Sequence, residues 1–177
     1  MEVHISGEIV GASDGPSCSG THCCWTFDAG DNWRVLQGVT EGHTHTDGAT
    51  DVEGTSVWAS PFDIHYACSS LAGWPKLRLE TFAQDIHGRN DVGGYGFCHV
   101  PAAPGEHDID VVLWRPEGSK LDQLRAYFVG GYPKLRDPTI VSEEGDRYEL
   151  STSTMGRAHV QFKVTLRGAS DHGIVCD

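Results

Sequence analysis

Short apolar runs alternate with polar positions along most of this chain, and clusters of turn-forming residues separate them. The longest run lies near the C-terminus. Ala158, Val160, Phe162, Val164 and Leu166 fall on one face of an extended strand, and His159, Gln161, Lys163, Thr165 and Arg167 on the other. Lys76, Arg78 and Glu80 alternate with Leu77, Leu79 and Thr81 in the same way, predicting a half-buried strand. Polar turn residues follow, from Asp85 and His87 to Asp91 and a Gly93-Gly94 pair, and the chain resumes as a strand over 95–100 that stops at Pro101.

Elsewhere the same pattern predicts a first strand from Val3 through Ile5 and Ile9 to Gly11, a short second over 24–27 and a third over 33–40. Residues 42–54 read as an edge strand or a loop. Phe62, Ile64 and Tyr66 mark a strand introduced by Pro61, and 109–114 and 147–150 mark two more. One helix is expected: Ser119 can cap it with Asp122 three residues on, Leu121, Leu124 and Phe128 have helical spacing, and Gly130-Gly131 stops it. Many short strands with Gly- and Pro-rich turns define an all-β antiparallel sandwich with one short helix. No repeat or linker interrupts it, so residues 1–177 are expected to form one domain.

Composition narrows the function. Of the 177 residues 38% are hydrophobic, and no apolar run approaches the roughly 20 needed to span a bilayer. The start Met1-Glu2-Val3-His4 has neither the basic flank nor the apolar run of a signal peptide, so a cytoplasmic protein with reduced cysteines is expected. A net charge of −12 disfavours non-specific binding to nucleic acid or to an anionic membrane. Lys76 and Arg78 on one strand face remain candidates for anionic lipid.

Candidate chemistry is sparse. No G-x-S-x-G nucleophile elbow and no local cysteine-protease signature is read, and Cys98 and His99 point to opposite strand faces, so no enzyme is expected. Cys18, His22, Cys23 and Cys24, with His43 and His45 downstream, lack the paired spacing of a zinc site. Asp14, Asp85 and Asp91 are degenerate candidates for a calcium loop, but they also serve as turn formers. Trp74, in the turn Gly73-Trp74-Pro75, either plugs one end of the sandwich or meets a partner.

A set of ordered segments resembles the B9 domain proteins over nearly the whole chain. They are Glu2-Val3-His4 leading to Gly11-Ala12-Ser13, then Gly73-Trp74-Pro75-Lys76-Leu77, Gln84-Asp85 and the run 93–101. Trp114-Arg115-Pro116, Phe128-Val129-Gly130-Gly131 and Asp146-Arg147-Tyr148 complete the set. The resemblance implies a C2-like β-sandwich and a non-enzymatic scaffold of the ciliary transition zone or basal body, associated with the cytoskeleton. It implies a role in ciliogenesis and in gating protein passage, with no cofactor. Implied partners are B9 domain-containing protein 1, the Meckel syndrome type 1 protein and tectonic-type transition-zone components. A phosphoinositide-binding C2-like module, tethering such a complex to the membrane, is the alternative. Calcium-binding C2 domains carry D-x-D-x5-D in the loop that aligns here with 83–91. Ala83 stands at the first acid and only Asp85 and Asp91 keep the spacing, so no micromolar calcium binding is expected.

Overall fold

The computed structural model describes residues 1–14, 20–48, 55–84, 89–119, 131–142 and 150–168. The helix expected after Ser119, residues 147–149 of the strand expected over 147–150, Asp85, Cys18 and Cys176 lie outside them, and Leu150 is in no strand.

Nine strands form among the described residues: β1 (Glu2–Ser13), β2 (Gly20–Asp28), β3 (Trp33–Gly38), β4 (Glu41–His43), β5 (Ser56–Cys68), β6 (Lys76–Gln84), β7 (Asn90–His99), β8 (Gly105–Pro116) and β9 (Thr152–Arg167). The hydrogen-bonded order is β3-β5-β1-β9-β8-β7-β6-β2-β4, antiparallel throughout. Among the described residues β7 and β8 pair at Tyr95 and Trp114 alone. The sheet therefore folds over there into two layers, β3-β5-β1-β9-β8 facing β7-β6-β2-β4.

The core lies between the layers. β1 contributes Val3, Ile5 and Ile9, β9 contributes Ala158, Val160, Phe162 and Val164, and β5 contributes Trp58, Phe62, Ile64 and Tyr66. Cys23, Trp25 and Phe27 of β2 and Leu77 and Leu79 of β6 face them. Phe62 stands at the meeting point: its ring centroid lies 5.3 Å from Phe27 and 6.1 Å from Trp25 across the sandwich, and 5.5 Å from Phe162 beside it. Such contacts combine large buried area with favourable ring geometry.

The long alternation at 158–166 forms as predicted, with Leu166 only partly buried at its end. Several expectations need correction. Asp91, Gly93 and Gly94, read as turn before a strand over 95–100, lie inside β7, because β6 pairs with them from Thr81 to Gln84. β5 begins at Ser56, not at Pro61, which sits inside it opposite Glu8. Pairing with β3 ends at Ile64, so a residue without an N–H is tolerated on the open side. β2 is longer than 24–27 because the β6 ladder holds it from Gly20 to Asp28. The third strand stops at Gly38 because Val39 and Thr40 cross to the other layer, where the Thr40 carbonyl accepts from the Phe27 amide at 2.7 Å.

Asp47 closes the same side. Its backbone exchanges hydrogen bonds with Thr21 at 2.9 and 2.8 Å, while its carboxylate accepts from the Val57 amide of the opposite layer at 2.8 Å. The Trp58 indole adds a donor to the Thr21 carbonyl at 3.2 Å. Phe62→Ala should cost about 3–5 kcal/mol in urea unfolding, because it opens a void between layers that cannot slide closed. Thr165→Ala, on the solvent face, should stay within about 0.5 kcal/mol.

Candidate binding end

At one end of the sandwich the β2–β3 turn, the β5–β6 turn and the segment 131–142 converge. Gly30 and Gly73 make this convergence possible. The Gly30 amide donates to the Gly73 carbonyl at 2.9 Å, and Gly73 has φ 74°. A side-chain carbon on Gly73 would lie 2.6 Å from the Gly30 Cα, and one on Gly30 would lie 2.8 Å from the Gly73 Cα. Only glycine fits at either position.

This approach places two tryptophans edge to face. Trp33 and Trp74 have ring centroids 5.0 Å apart at 83°, and Trp33 makes a similar contact with Tyr66 at 5.9 Å. The Trp33 indole donates to the Ala72 carbonyl at 3.0 Å and the Trp74 indole to the Val100 carbonyl at 2.8 Å. Trp74 thus packs on the core with one side and remains partly exposed with the other. Burial, with the nearby Asp28 charge, pushes the Tyr66 hydroxyl up to about 12.

Beside Trp74 lies a concavity of about 420 Å³ bounded by Asp28, Gly30, Gly73, Lys76, Thr139 and Ser142 among others. A polar chain fixes its floor. The Lys76 ammonium donates to the Ser142 carbonyl at 2.9 Å, the Ser142 hydroxyl donates to Asp28 Oδ2 at 2.8 Å, and Arg78 Nη2 lies 3.6 Å from Asp28 Oδ1. The sequence placed Lys76 and Arg78 on one strand face, and the structure shows what covers it. The segment 131–142 lies over the outer side of β6 and β7 and builds a second small core from Val92, Tyr95 and Val141, with Phe82, Phe97, Trp114 and Leu135 packed on it. The Leu135 amide donates to the Tyr95 hydroxyl at 3.2 Å. The 3₁₀ turn Pro138–Val141 in this segment is capped by Asp137, whose carboxylate accepts from the Thr139 amide and hydroxyl and is held below its ordinary range by them.

Arg78 is consequently only 13% exposed in its side chain. Lys76 opens on the concavity and keeps donors to spare after its bond to Ser142. Glu80 is in the same covered layer. Burial raises its pKa, opposed by the charges of Arg78 and Lys134 and a hydrogen bond from Tyr95.

The other candidates lie elsewhere. Asp14 follows the end of β1, and Asp91 lies at the start of β7, where its carboxylate accepts from the Gly131 amide at 3.2 Å. Among the described residues no three His, Cys, Asp or Glu side chains are grouped to hold a metal ion. His43 is exposed on β4, and His22 stacks on Phe82 at 5.0 Å. Cys98 packs against the core and burial pushes its thiol up to about 12, while His99 lies on the other face against Phe97. Among the described residues no helix is long and apolar enough to cross a membrane.

The chain is thus a C2-like antiparallel β-sandwich with an aromatic end and a polar concavity beside it. The family model described as B9-C2, ciliary basal body-associated B9 protein, matches residues 3–165, and the chain belongs to the B9 domain family. It is 41% identical over 175 residues to B9 domain-containing protein 2 of Bos taurus, covering 99% of each chain. It is 29% identical over 165 residues to B9 domain-containing protein 1 of Homo sapiens, covering 92% of this chain and 80% of that one. Among solved structures, a C2 domain of plant Extended Synaptotagmin 1 aligns with a TM-score of 0.44 at 10% identity, covering 94% of this chain and 96% of that one.

Two outcomes are expected at this end. Gly73→Ala should destabilise by about 1–3 kcal/mol, because a side chain is strained at positive φ and meets Gly30. Because the folded pKa of Glu80 is raised, its contribution favours folding at low pH and is lost as pH rises through the folded value. Glu80→Gln should therefore gain stability relative to the parent as pH rises from about 4 to about 7 in urea unfolding.

Proposed function

We propose that this chain is a scaffold subunit at the base of the cilium, in the transition zone, where it docks other B9 domain proteins to support ciliogenesis and gate protein passage. The match to a ciliary basal body-associated family over residues 3–165 carries this reading. Its partners are B9 domain-containing protein 1, the Meckel syndrome type 1 protein and tectonic-type components, and its role in the assembly needs no catalysis or cofactor.

The docking surface we assign is the Trp74 end. A partly exposed indole beside a hydrogen-bonded polar floor, next to an ammonium with donors to spare, is the type of anchor that dominates protein interfaces. The turn it stands on is pinned by the Gly30–Gly73 contact, so little ordering cost attends binding. The alternative of anionic-lipid binding by Lys76 and Arg78 draws less support. Arg78 is covered and faces Asp28, which leaves Lys76 as the single open cation of the pair to meet a headgroup.

Co-expression with B9 domain-containing protein 1 followed by size-exclusion chromatography should give one stoichiometric peak. Lys76→Glu should weaken that association by about 30-fold, the loss of roughly 2 kcal/mol that marks an interface hot spot. Separate elution of two folded chains, with flotation of this one on vesicles containing phosphoinositide, would replace the scaffold reading by the lipid-binding one.

A further inference from the structure

On the outer face of the β1-β9-β8 sheet, far in sequence from the Trp74 end, three side chains form a hydrogen-bonded chain. Ser13 Oγ lies 2.7 Å from His159 Nε2, and His159 Nδ1 lies 2.6 Å from Asp110 Oδ1. A carboxylate only accepts, so Nδ1 carries the proton and donates to Asp110. The neutral ring then has its lone pair at Nε2, and the Ser13 hydroxyl donates to it. Nucleophile, base and orienting acid are thus in their working order.

Strand register builds this arrangement. His159 lies directly opposite Asp110 on β8, which brings that pair together. Ser13 reaches them through a register shift in β1 between Ile9 and Gly11. Ile9 faces the core before the shift and Ala12 packs on it after, so Ser13 emerges outward next to His159. Bulges of this kind re-aim side chains and are common beside active sites. Gly11 is required there, because a side-chain carbon would lie 2.0 Å from the Ser56 carbonyl oxygen.

The segment Gly11-Ala12-Ser13-Asp14-Gly15 also carries the spacing G-x-S-x-G. That spacing marks serine nucleophiles held at a sharp turn after a strand. Here Ser13 ends β1 and Asp14 follows at φ 57°, a left-handed conformation that is costly for a residue with a side chain. Arg157, paired with Ser13 in the register, places a cation on the adjacent strand of the same sheet. The His159 and Asp110 side chains are 38% and 59% exposed, so a small ligand reaches the chain of groups from solvent.

We propose that Ser13 is an activated nucleophile that accepts the acyl group of small activated carboxylic esters, a capacity separate from the scaffold reading and independent of it. Ser13 Oγ bonds to the ester carbonyl carbon as its proton passes to His159 Nε2. The bond from that carbon to the leaving oxygen breaks, and the departing alkoxide takes the proton from His159. Water, with His159 again as base, then cleaves the acyl-serine, releasing the acid and restoring the hydroxyl. Asp110 positions the ring and stabilises its charged form.

The full chain would be treated with a biotinylated fluorophosphonate, which bonds serine oxygen to phosphorus with loss of fluoride, and the modified residue located by peptide mass spectrometry. 4-Nitrophenyl acetate would follow acyl transfer in parallel through release of nitrophenolate. Modification should fall on Ser13 and disappear in Ser13→Ala. His159→Gln should slow it by about 100-fold or more, and Asp110→Asn by about 10-fold, at unchanged melting temperature. Both variants are on the solvent face, and either one reports if the other fails to fold. Absence of modification at Ser13, or equal rates in parent and His159→Gln, would overturn the proposal.

Discussion

Among the described residues, the two layers of this sandwich are joined through the backbone ladder at a single pair, Tyr95 with Trp114. Among the described residues, side-chain packing and the clamps at the margins do the rest of the work of holding them in register. Phe62 has to satisfy both layers at once, touching Trp25 and Phe27 across the gap and Phe162 beside it. On the margin away from the Tyr95 pair, Val39 and Thr40 carry the chain across and Asp47 bonds to both layers. The remaining geometry depends on this alignment, because each surface described above is assembled from more than one strand. Misalign the layers and the Gly30–Gly73 contact and the tryptophan pair come apart, taking one wall of the Trp74 concavity with them.

That dependence also separates the two surfaces. The Trp74 end draws on turns from both layers and on the segment 131–142, so it tests the sandwich as a whole. The Ser13 chain uses β1, β9 and β8, neighbours in one layer whose ladders run from end to end. The two surfaces we propose therefore rest on different contacts, and a change at one need not disturb the other.

How much of this is legible in the sequence follows from how local each cause is. The β9 alternation is readable because the ten residues from Ala158 to Arg167 repeat one rule without a breaker. Pro61 misleads the placement of β5, since a breaker inside a strand is harmless only when the neighbouring strand has already ended, and that is a property of β3. Lys76, Arg78 and Glu80 are readable as one face of a strand. Their covering by a segment more than fifty residues away carries no local signal. Trp74 reads as plug or partner contact, and the ring packs on the core while leaving one side open. The reading of no G-x-S-x-G elbow passes over the spacing at 11–15, which falls at the end of a strand with no helix predicted after it. The bulge that turns Ser13 toward His159 is a matter of register, which the pattern of apolar residues does not encode.

The central claim is that the Trp74 end is the docking surface. Hydrogen–deuterium exchange of the chain alone and in complex with B9 domain-containing protein 1 tests it most directly. Added protection should concentrate at residues 28–33, 70–76 and 136–142, with the outer face of β9 unchanged. Protection confined to other surfaces, with these three segments exchanging as in the free chain, would contradict it.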